Sequence, residues 1–346
     1  MVPTQRYRIE AYTNRDDFDL KHRYFSVIKK DEVNTLYGAN LIRKVWLGLK
    51  IIFRRTCHLF LLRKYSAVFV SRECVPLPGY IFEFIIKNIL KKRLVYDIDD
   101  AIWIKQVSDA NKNISFLKST KKFAKIIALA DAIIAGNSYL AEYALHYNTN
   151  VTIIPSCVDL DTYTMQQKPK NSRICIGWSG SESTLPYLLD LLDVFREIQE
   201  KYPNKVYFKV ISSRAKFEME GVNIKAVRWN EEKEVEQLLE LDIGVMPLFM
   251  DEWSKGKCSM KGIQYMGLGI ATVMSNIGAN KVVIQNGKNG FLADAAKDWV
   301  ACLSNLIENE NLRNEFGVEA RNTIVEKYSI QSWLQKWKKI LVEDDA

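Results

Sequence analysis

The stretch GVMPLFMDEWSKGKCSMKGIQYMGLGIATVMSNIGANKVVIQNGKNG, Gly244 to Gly290, decides the fold. It is entered through a buried-strand pattern, Leu241 to Pro247. A loop follows through Asp251-Glu252-Trp253 and Ser254-Lys255-Gly256-Lys257. A helix is expected to start near Cys258 or Ser259, because Met260, Ile263, Gln264 and Met266 to Leu268 recur at helical spacing. Gly267 and Gly269 mark its end, and Ile270 to Ser275 reads as the next strand. A strand, a glycine-bearing loop and a helix start make a natural anion site. The N–H groups of the first turn point outward, and the helix dipole is positive there. Lys257 at the mouth and Lys261 one turn on add two point charges. The stretch reads as a diphosphate cradle; an ordinary strand-to-helix turn with solvated lysines has the same local pattern.

Downstream and upstream of it the same alternation continues. Ile174 to Trp178 is a strand, Ser179-Gly180-Ser181 a tight turn and Thr184 to Glu200 a helix. Small residues at such a turn let a ligand approach the backbone. Val206 to Ser212, Ile224 to Val227 and Val273 to Ser275 are further strands, and Asn286 to Gly290 is a turn. Trp229 either stacks on a nucleobase or fills core. Helices are expected over Ala295 to Glu308, Asn311 to Lys327 and Ile330 to Val342. The last carries Trp333, Trp337 and Leu341, which suggests that it packs across another part of the molecule.

The first half opens on a helix at Arg6-Tyr7-Arg8-Ile9-Glu10, with no strand ahead of it. Leu41 to Arg55 is amphipathic. Leu41, Ile42, Val45, Trp46, Leu49, Ile52 and Phe53 share one face; Arg43, Lys44, Lys50, Arg54 and Arg55 share the other. Seven basic residues and no acidic one stand between Arg43 and Lys64. That suits a helix lying on an anionic bilayer, with Trp46 and Phe53 at the interface. A helix packed on its own sheet with a wet basic face has the same pattern. Val68 to Ser71 reads as a strand and Leu77 to Leu90 as a helix. Leu94 to Trp103, LVYDIDDAIW, is a strand running into Asp97, Asp99 and Asp100. In open α/β sheets that end faces the ligand crevice. A hydroxyl-binding cluster fits these acids better than a metal site; an N-cap with a solvated turn fits too. A helix over Asn111 to Ala130, strands Ala132 to Ala135 and Val151 to Ile154, and a helix over Tyr139 to Tyr147 complete a doubly wound domain. Asp159 to Asn171 is the expected linker.

The 346 residues are 48% hydrophobic, enough for one large or two medium α/β domains. Six scattered cysteines form no C-x-x-C pair, so neither a zinc ribbon nor a disulfide framework is implied, and a reducing cytosol fits. No signal peptide is read, and no uncharged apolar run approaches the ~20 residues that span a bilayer. The net charge of +8 is uneven: residues 1–160 hold 25 basic and 15 acidic side chains, and the remainder 24 and 26. The first half therefore meets something anionic. Aromatic residues are not interleaved with the basic stretch as in a nucleic-acid groove, so nucleic acid is not expected.

Together YDIDDAIW, AGNSYLAEYA, VTIIPSCVDLDTY, IGWSGSEST and PLF…GKCSMKGIQYMGLGIATVMSNIGAN…NGKNGFL resemble glycosyltransferase family 4, in its bacterial surface-polysaccharide branch. The resemblance covers nearly the whole chain and implies the α/β GT-B fold, two facing doubly wound Rossmann-like domains with the active site in the cleft. An acceptor domain over residues 1–160, a nucleotide-sugar domain over 161–327 and a helix over 328–346 crossing back to the first domain would follow. The implied activity is retaining transfer of a hexosyl-type sugar from a nucleotide-diphosphate sugar to a lipid-linked or oligosaccharide acceptor. It would need no metal or other cofactor, and would take place at the cytoplasmic face of the cell membrane. Lys257, Lys261 and the helix start at Cys258-Ser259 would neutralise the leaving diphosphate. Ser179 and Gly180 would approach it from the opposite turn, and Trp229, where its ring stacks on a nucleobase rather than filling core, would join the donor side. The family's paired glutamates align with Gly256 and Gln264; Gln264 would bond a ribose hydroxyl, and Asp251 or Glu252 would contact the donor sugar. Asp99 falls where many members place a sugar-contacting histidine. Arg6, Arg8, Glu10, Asp97, Asp100 and Asn137 fall on the acceptor side. The altered glutamates and the missing first strand leave a second reading, a non-catalytic nucleotide-sugar-binding or scaffolding relative.

Overall fold

A computed structural model of the chain describes residues 3–32, 35, 40–76, 78–104, 121–166, 172–214 and 216–342. The chain divides into two compact units, Met1–Pro155 with Trp333–Ala346, and Ser156–Ser332.

The first unit is built on a four-stranded parallel sheet whose strands follow chain order: β1 (Ala67–Ser71), β2 (Arg93–Ile98), β3 (Ala132–Ala135) and β4 (Val151–Ile153). Among the described residues no strand precedes β1; a helical run over residues 3–13, with a π turn at Arg6–Glu10, comes first. Leu94 to Ile98 and all of β3 are buried. That is why both segments read as continuous apolar runs rather than alternating ones. Helix α1 (Leu41–Leu61) leads into β1, and helices α2 (Lys121–Leu129) and α3 (Ser138–Leu145) join β2 to β3 and β3 to β4. Asn40 Oδ1 caps α1 by accepting the Arg43 N–H at 3.0 Å, and Asn137 Oδ1 caps α3 by accepting the Leu140 N–H at 2.9 Å. The expected helix over Leu77 to Leu90 is narrower, Ile81–Phe84 followed by a π turn at Ile85–Ile89. Leu77, residues 111–120 of the next expected helix and residues 167–171 of the expected linker lie outside the described residues.

The second unit holds six parallel strands: β5 (Ile174–Ser179), β6 (Val206–Ser212), β7 (Ile224–Arg228), β8 (Ile243–Met246), β9 (Ala271–Ser275) and β10 (Phe291–Ala293). Their order is β10-β9-β8-β5-β6-β7. The winding reverses between β5 and β8, which is the topological switch point where open α/β sheets bind ligands beyond the carboxyl ends of their strands. Its helices include α4 (Leu192–Lys201), α5 (Glu234–Leu239), α6 (Glu252–Lys255), α7 (Met260–Gly267), α8 (Ala296–Glu308), α9 (Glu310–Lys327) and α10 (Ile330–Val342). The single helix expected over Thr184 to Glu200 is three pieces. A 3₁₀ turn, Glu182–Thr184, leads to Leu185–Leu189, started by Pro186, and then to α4.

Helix α7 lies very close on the sheet. A Cβ on Gly262 would stand 1.8 Å from Met274 Cε, so any side chain there would have to push the flexible end of that methionine aside. Ile263, Tyr265 and Met266 of α7 are completely buried, which fixes where its first turn stands relative to β5 and β8. Helix α10 starts in the second unit and ends in the first. In the first unit Trp337 stacks on Tyr12 with centroids 5.1 Å apart, and Arg93 Nε donates to Ile340 O at 3.1 Å.

Candidate functional site

The first turn of α7 is the stretch read as a diphosphate cradle. Its first intrahelical bond runs from Ile263 N–H to Ser259 O at 3.0 Å, so the N–H groups ahead of Ile263 have no acceptor within the helix. Ser259 turns the chain into the helix with φ of +56°, a left-handed conformation that a serine holds only where its surroundings insist. What insists is Asn280: Ser259 Oγ donates to Asn280 Oδ1 at 2.7 Å, and Asn280 Nδ2 donates to Ser275 O at 3.0 Å. The Ser259 side chain is therefore an internal tie, 1% exposed, and its contribution to a ligand would come from its backbone. Cys258 is likewise buried, its thiol 3.8 Å from Gly256 O.

Both lysines are half-buried and rest on indole rings. Lys257 Nζ lies 4.8 Å from the centroid of Trp253, and Lys261 Nζ lies 5.7 Å from that of Trp178. A ring face attracts an ammonium and limits its sweep. Trp178 is the penultimate residue of β5, so Lys261 of α7 and the Ser179-Gly180 turn come together at the switch point. Tyr265 closes the link, accepting the Ser179 N–H at its hydroxyl at 2.8 Å. Gly180 has no room for a side chain, since a Cβ would lie 2.3 Å from Trp178 and 2.8 Å from Thr184 Oγ1. The loop before α7 contains the short helix α6, not read in the sequence. Asp251 caps it, Oδ1 accepting the Ser254 N–H at 2.7 Å, and Glu252 pairs with Lys255 at 2.5 Å. Gly256 ends it.

Gln264 and Trp229, far apart in the chain, belong to one buried chain of hydrogen bonds. Trp229 Nε1 donates to Glu234 Oε1 at 2.8 Å, Tyr163 OH donates to Glu234 Oε2 at 2.7 Å, and Gln264 Nε2 donates to Tyr163 OH at 2.7 Å. Trp229 is half-buried against the core rather than a free ring. Tyr163 and Glu234 were not found from sequence. Tyr163 does end the quoted VTIIPSCVDLDTY stretch, but nothing there told of a partner 71 residues on.

In the first unit the three acids meet arginines. Asp97 is fully buried and accepts from Arg8 Nε at 3.1 Å and Nη2 at 2.5 Å, while Arg8 Nη1 donates to Ile154 O at 2.6 Å. One side chain of the helical run over residues 3–13 thus spans the carboxyl ends of β2 and β4. Asp99 accepts from Arg72 Nε at 2.9 Å and from the Thr4 hydroxyl, and Asp100 accepts from Arg72 Nη2 at 2.5 Å. Burial pushes the Asp99 carboxyl up, but Arg72 and Thr4 outweigh it and hold it below the ordinary range. Arg72, with φ of +63°, is a residue the sequence reading passed over. The Arg6 guanidinium lies 5.0 Å from the Tyr7 ring, Glu10 accepts from Gln5 at 2.6 Å, and Asn137 serves as the α3 cap.

The basic residues of α1 do not share one outer face. Arg54 donates to Val27 O at 2.9 Å and to Glu32 at 2.8 Å; Arg55 donates to Cys74 O at 2.7 Å and to Phe25 O at 3.2 Å. These two guanidiniums turn into the unit, because Leu47 and Ile51, which α1 buries, lie on their side of the helix. Arg43 and Lys50 stay exposed, Lys44 is half-buried, and Trp46 and Phe53 are 62% and 71% exposed.

Parallel sheets in two Rossmann-like units are those of GT-B glycosyltransferase structures. The similarities are specific. Residues 176–309 match the family described as Glycosyl transferases group 1. The chain is 34% identical over 87 residues to the poly(ribitol-phosphate) α-N-acetylglucosaminyltransferase of Staphylococcus aureus (strain COL), over 21% of this chain and 18% of that protein. Among solved structures, TarM superposes with a TM-score of 0.62 at 17% identity, covering 84% of this chain and 58% of that one. HepE of Anabaena, in complex with UDP-glucose, superposes with a TM-score of 0.61 at 12% identity, covering 83% of this chain and 81% of that one. The chain thus spans under a fifth of the length of the curated relative and under two thirds of TarM.

Proposed function

We propose that the protein is a retaining glycosyltransferase of family 4 type. It would move a hexosyl-type sugar from a nucleotide-diphosphate sugar to a lipid-linked or oligosaccharide acceptor in cell-surface polysaccharide synthesis. The observation that carries the reading is the α7 start at the switch point, flanked by Lys257 on Trp253 and Lys261 on Trp178 and faced by the Ser179-Gly180 turn. Support also comes from the residues that match group 1 glycosyltransferases, from the poly(ribitol-phosphate) relative, and from the UDP-glucose held by HepE.

In this reading the bond between the anomeric carbon and the diphosphate oxygen breaks while the acceptor oxygen bonds the same face of that carbon. The acceptor's proton passes to the departing phosphate, so little is asked of a protein base. Charge grows on the diphosphate, and that is where the two ammoniums and the α7 dipole act. They supply the positive charge that a metal supplies elsewhere. Gln264 takes the ribose contact, and Asp251 or Glu252 the donor-sugar contact. The acceptor belongs to the first unit, near Asp99, Asp100 and Asn137. A non-catalytic relative is the second reading, favoured by Gly256, which offers no carboxylate where the family has one. Transfer and donor hydrolysis, assayed over a panel of nucleotide sugars, separate the two. Product formation supports the enzyme; saturable donor binding with no turnover on any acceptor refutes it.

A further inference from the structure

We propose that the outward face of α1 docks on an anionic lipid bilayer, a property independent of the transfer reaction. The 21-residue helix exposes an apolar row: Ile42 is 72% exposed, Val45 57%, Trp46 62%, Leu49 55%, Phe53 71% and Phe60 65%. Steps of three and four from Ile42 to Phe53, and one of seven to Phe60, place them along one side of the helix. Isolated apolar residues on a surface are ordinary, but a continuous row along four turns marks an interaction site.

The orientation is fixed by the opposite side. Leu47 and Ile51 are buried, Arg54 is held by Glu32 and Val27 O, and Arg55 by Cys74 O and Phe25 O. Rolling α1 to hide the apolar row would expose Leu47 and Ile51 and break these charge-assisted bonds. The helix is therefore pinned with its apolar side out.

Charge names the occupant. The stretch from Arg43 to Lys64 carries seven basic residues and no acidic one, of which Arg43, Lys50, Arg63 and Lys64 are exposed. A second copy of the chain would press like charges together, whereas anionic headgroups complement them while the acyl boundary takes the apolar row. No helix among the described residues is long and apolar enough to cross a membrane, so the geometry is that of a helix lying in the interface. It would lay a rod of about 30 Å on the surface.

Vesicle flotation tests this with the full chain, vesicles of phosphatidylcholine alone or mixed with phosphatidylglycerol, and no sugar donor. The wild type is expected to float with the mixed vesicles and far less with the neutral ones. Trp46→Ser with Phe53→Ser should lower the bound fraction about tenfold at unchanged melting temperature, both side chains being solvent-facing. Arg43→Gln with Lys50→Gln should remove most of the preference for the anionic lipid. Undiminished flotation of the Trp46/Phe53 double variant would overturn the proposal. So would a wild type that ignores vesicles yet forms a dimer which the same double variant dissociates, since the row would then belong to a second copy.

Discussion

Gly278 sets the position of the lysine-bearing loop. Its φ is +52°, and a Cβ there would stand 2.8 Å from Lys255 O and 2.9 Å from Lys255 Cα. These are backbone atoms, so a methyl group cannot be relieved by turning a side chain. Gly278→Ala is expected to cost about 1–3 kcal/mol, read as a lower denaturation midpoint; an unchanged midpoint would show that the loop has slack. Gln264 makes a second prediction. Tyr163 gives its proton to Glu234, leaving its oxygen to accept from the Gln264 amide, so a carboxylate at position 264 would face an oxygen with no proton to offer. Gln264→Glu should destabilise the unit, and Glu234→Gln should relieve it, with a coupling of about 0.5–3 kcal/mol in a double-mutant cycle. Additive effects would dissolve the network. At this scale the sequence was informative about which residue types gather and silent about their partners. Lys257 and Lys261 stood out by charge and spacing. The indoles beneath them, Asn280 under Ser259 and Glu234 under Tyr163 depend on contacts across tens of residues that no local pattern encodes.

Elements were more legible than residues, because burial writes periodicity into a segment. Every strand but β10 was readable as a short apolar run, and α7 from its 3.6-residue recurrence; β10, three residues at the sheet edge, is too short to write a pattern. Boundaries failed where local chemistry intervened. Pro186 starts a new helix inside the expected Thr184 to Glu200 segment, and Asp251 caps a helix within what looked like a loop. Helix α1 shows a deeper limit. Its two-sidedness was plain, but whether the apolar side faced the protein or the solvent was decided by pairs with Glu32, Cys74 and Phe25 that lie outside the helix. Those pairs give a pH dependence. The Arg54 hydrogen bond holds the Glu32 carboxyl down to about 2, below its ordinary 4.5. A depressed carboxylate stabilises the fold above its unfolded value and loses that contribution as pH falls from about 4.5 towards 2. Amide exchange in α1 should accelerate over that window in the wild type and much less in Glu32→Gln. Equal acceleration in both would assign the effect to another group.

At the scale of the whole molecule, the division into two units, each on a parallel sheet, followed from the alternation of strands and helices. The C-terminal helix, which starts in the second unit and ends in the first, was flagged by its tryptophans. In the first unit, the carboxylates read as a hydroxyl-binding cluster are engaged by Arg8, Arg72 and Thr4. The second unit therefore carries the proposed diphosphate site, at the start of α7. Calorimetric titration of uridine diphosphate against uridine, on the wild type and on Lys257→Ala with Lys261→Ala, tests this directly; the wild type should bind the diphosphate far more tightly than the nucleoside. The double variant should lose on the order of 2–4 kcal/mol of that preference while keeping its affinity for uridine. Equal preference in both proteins would contradict the account.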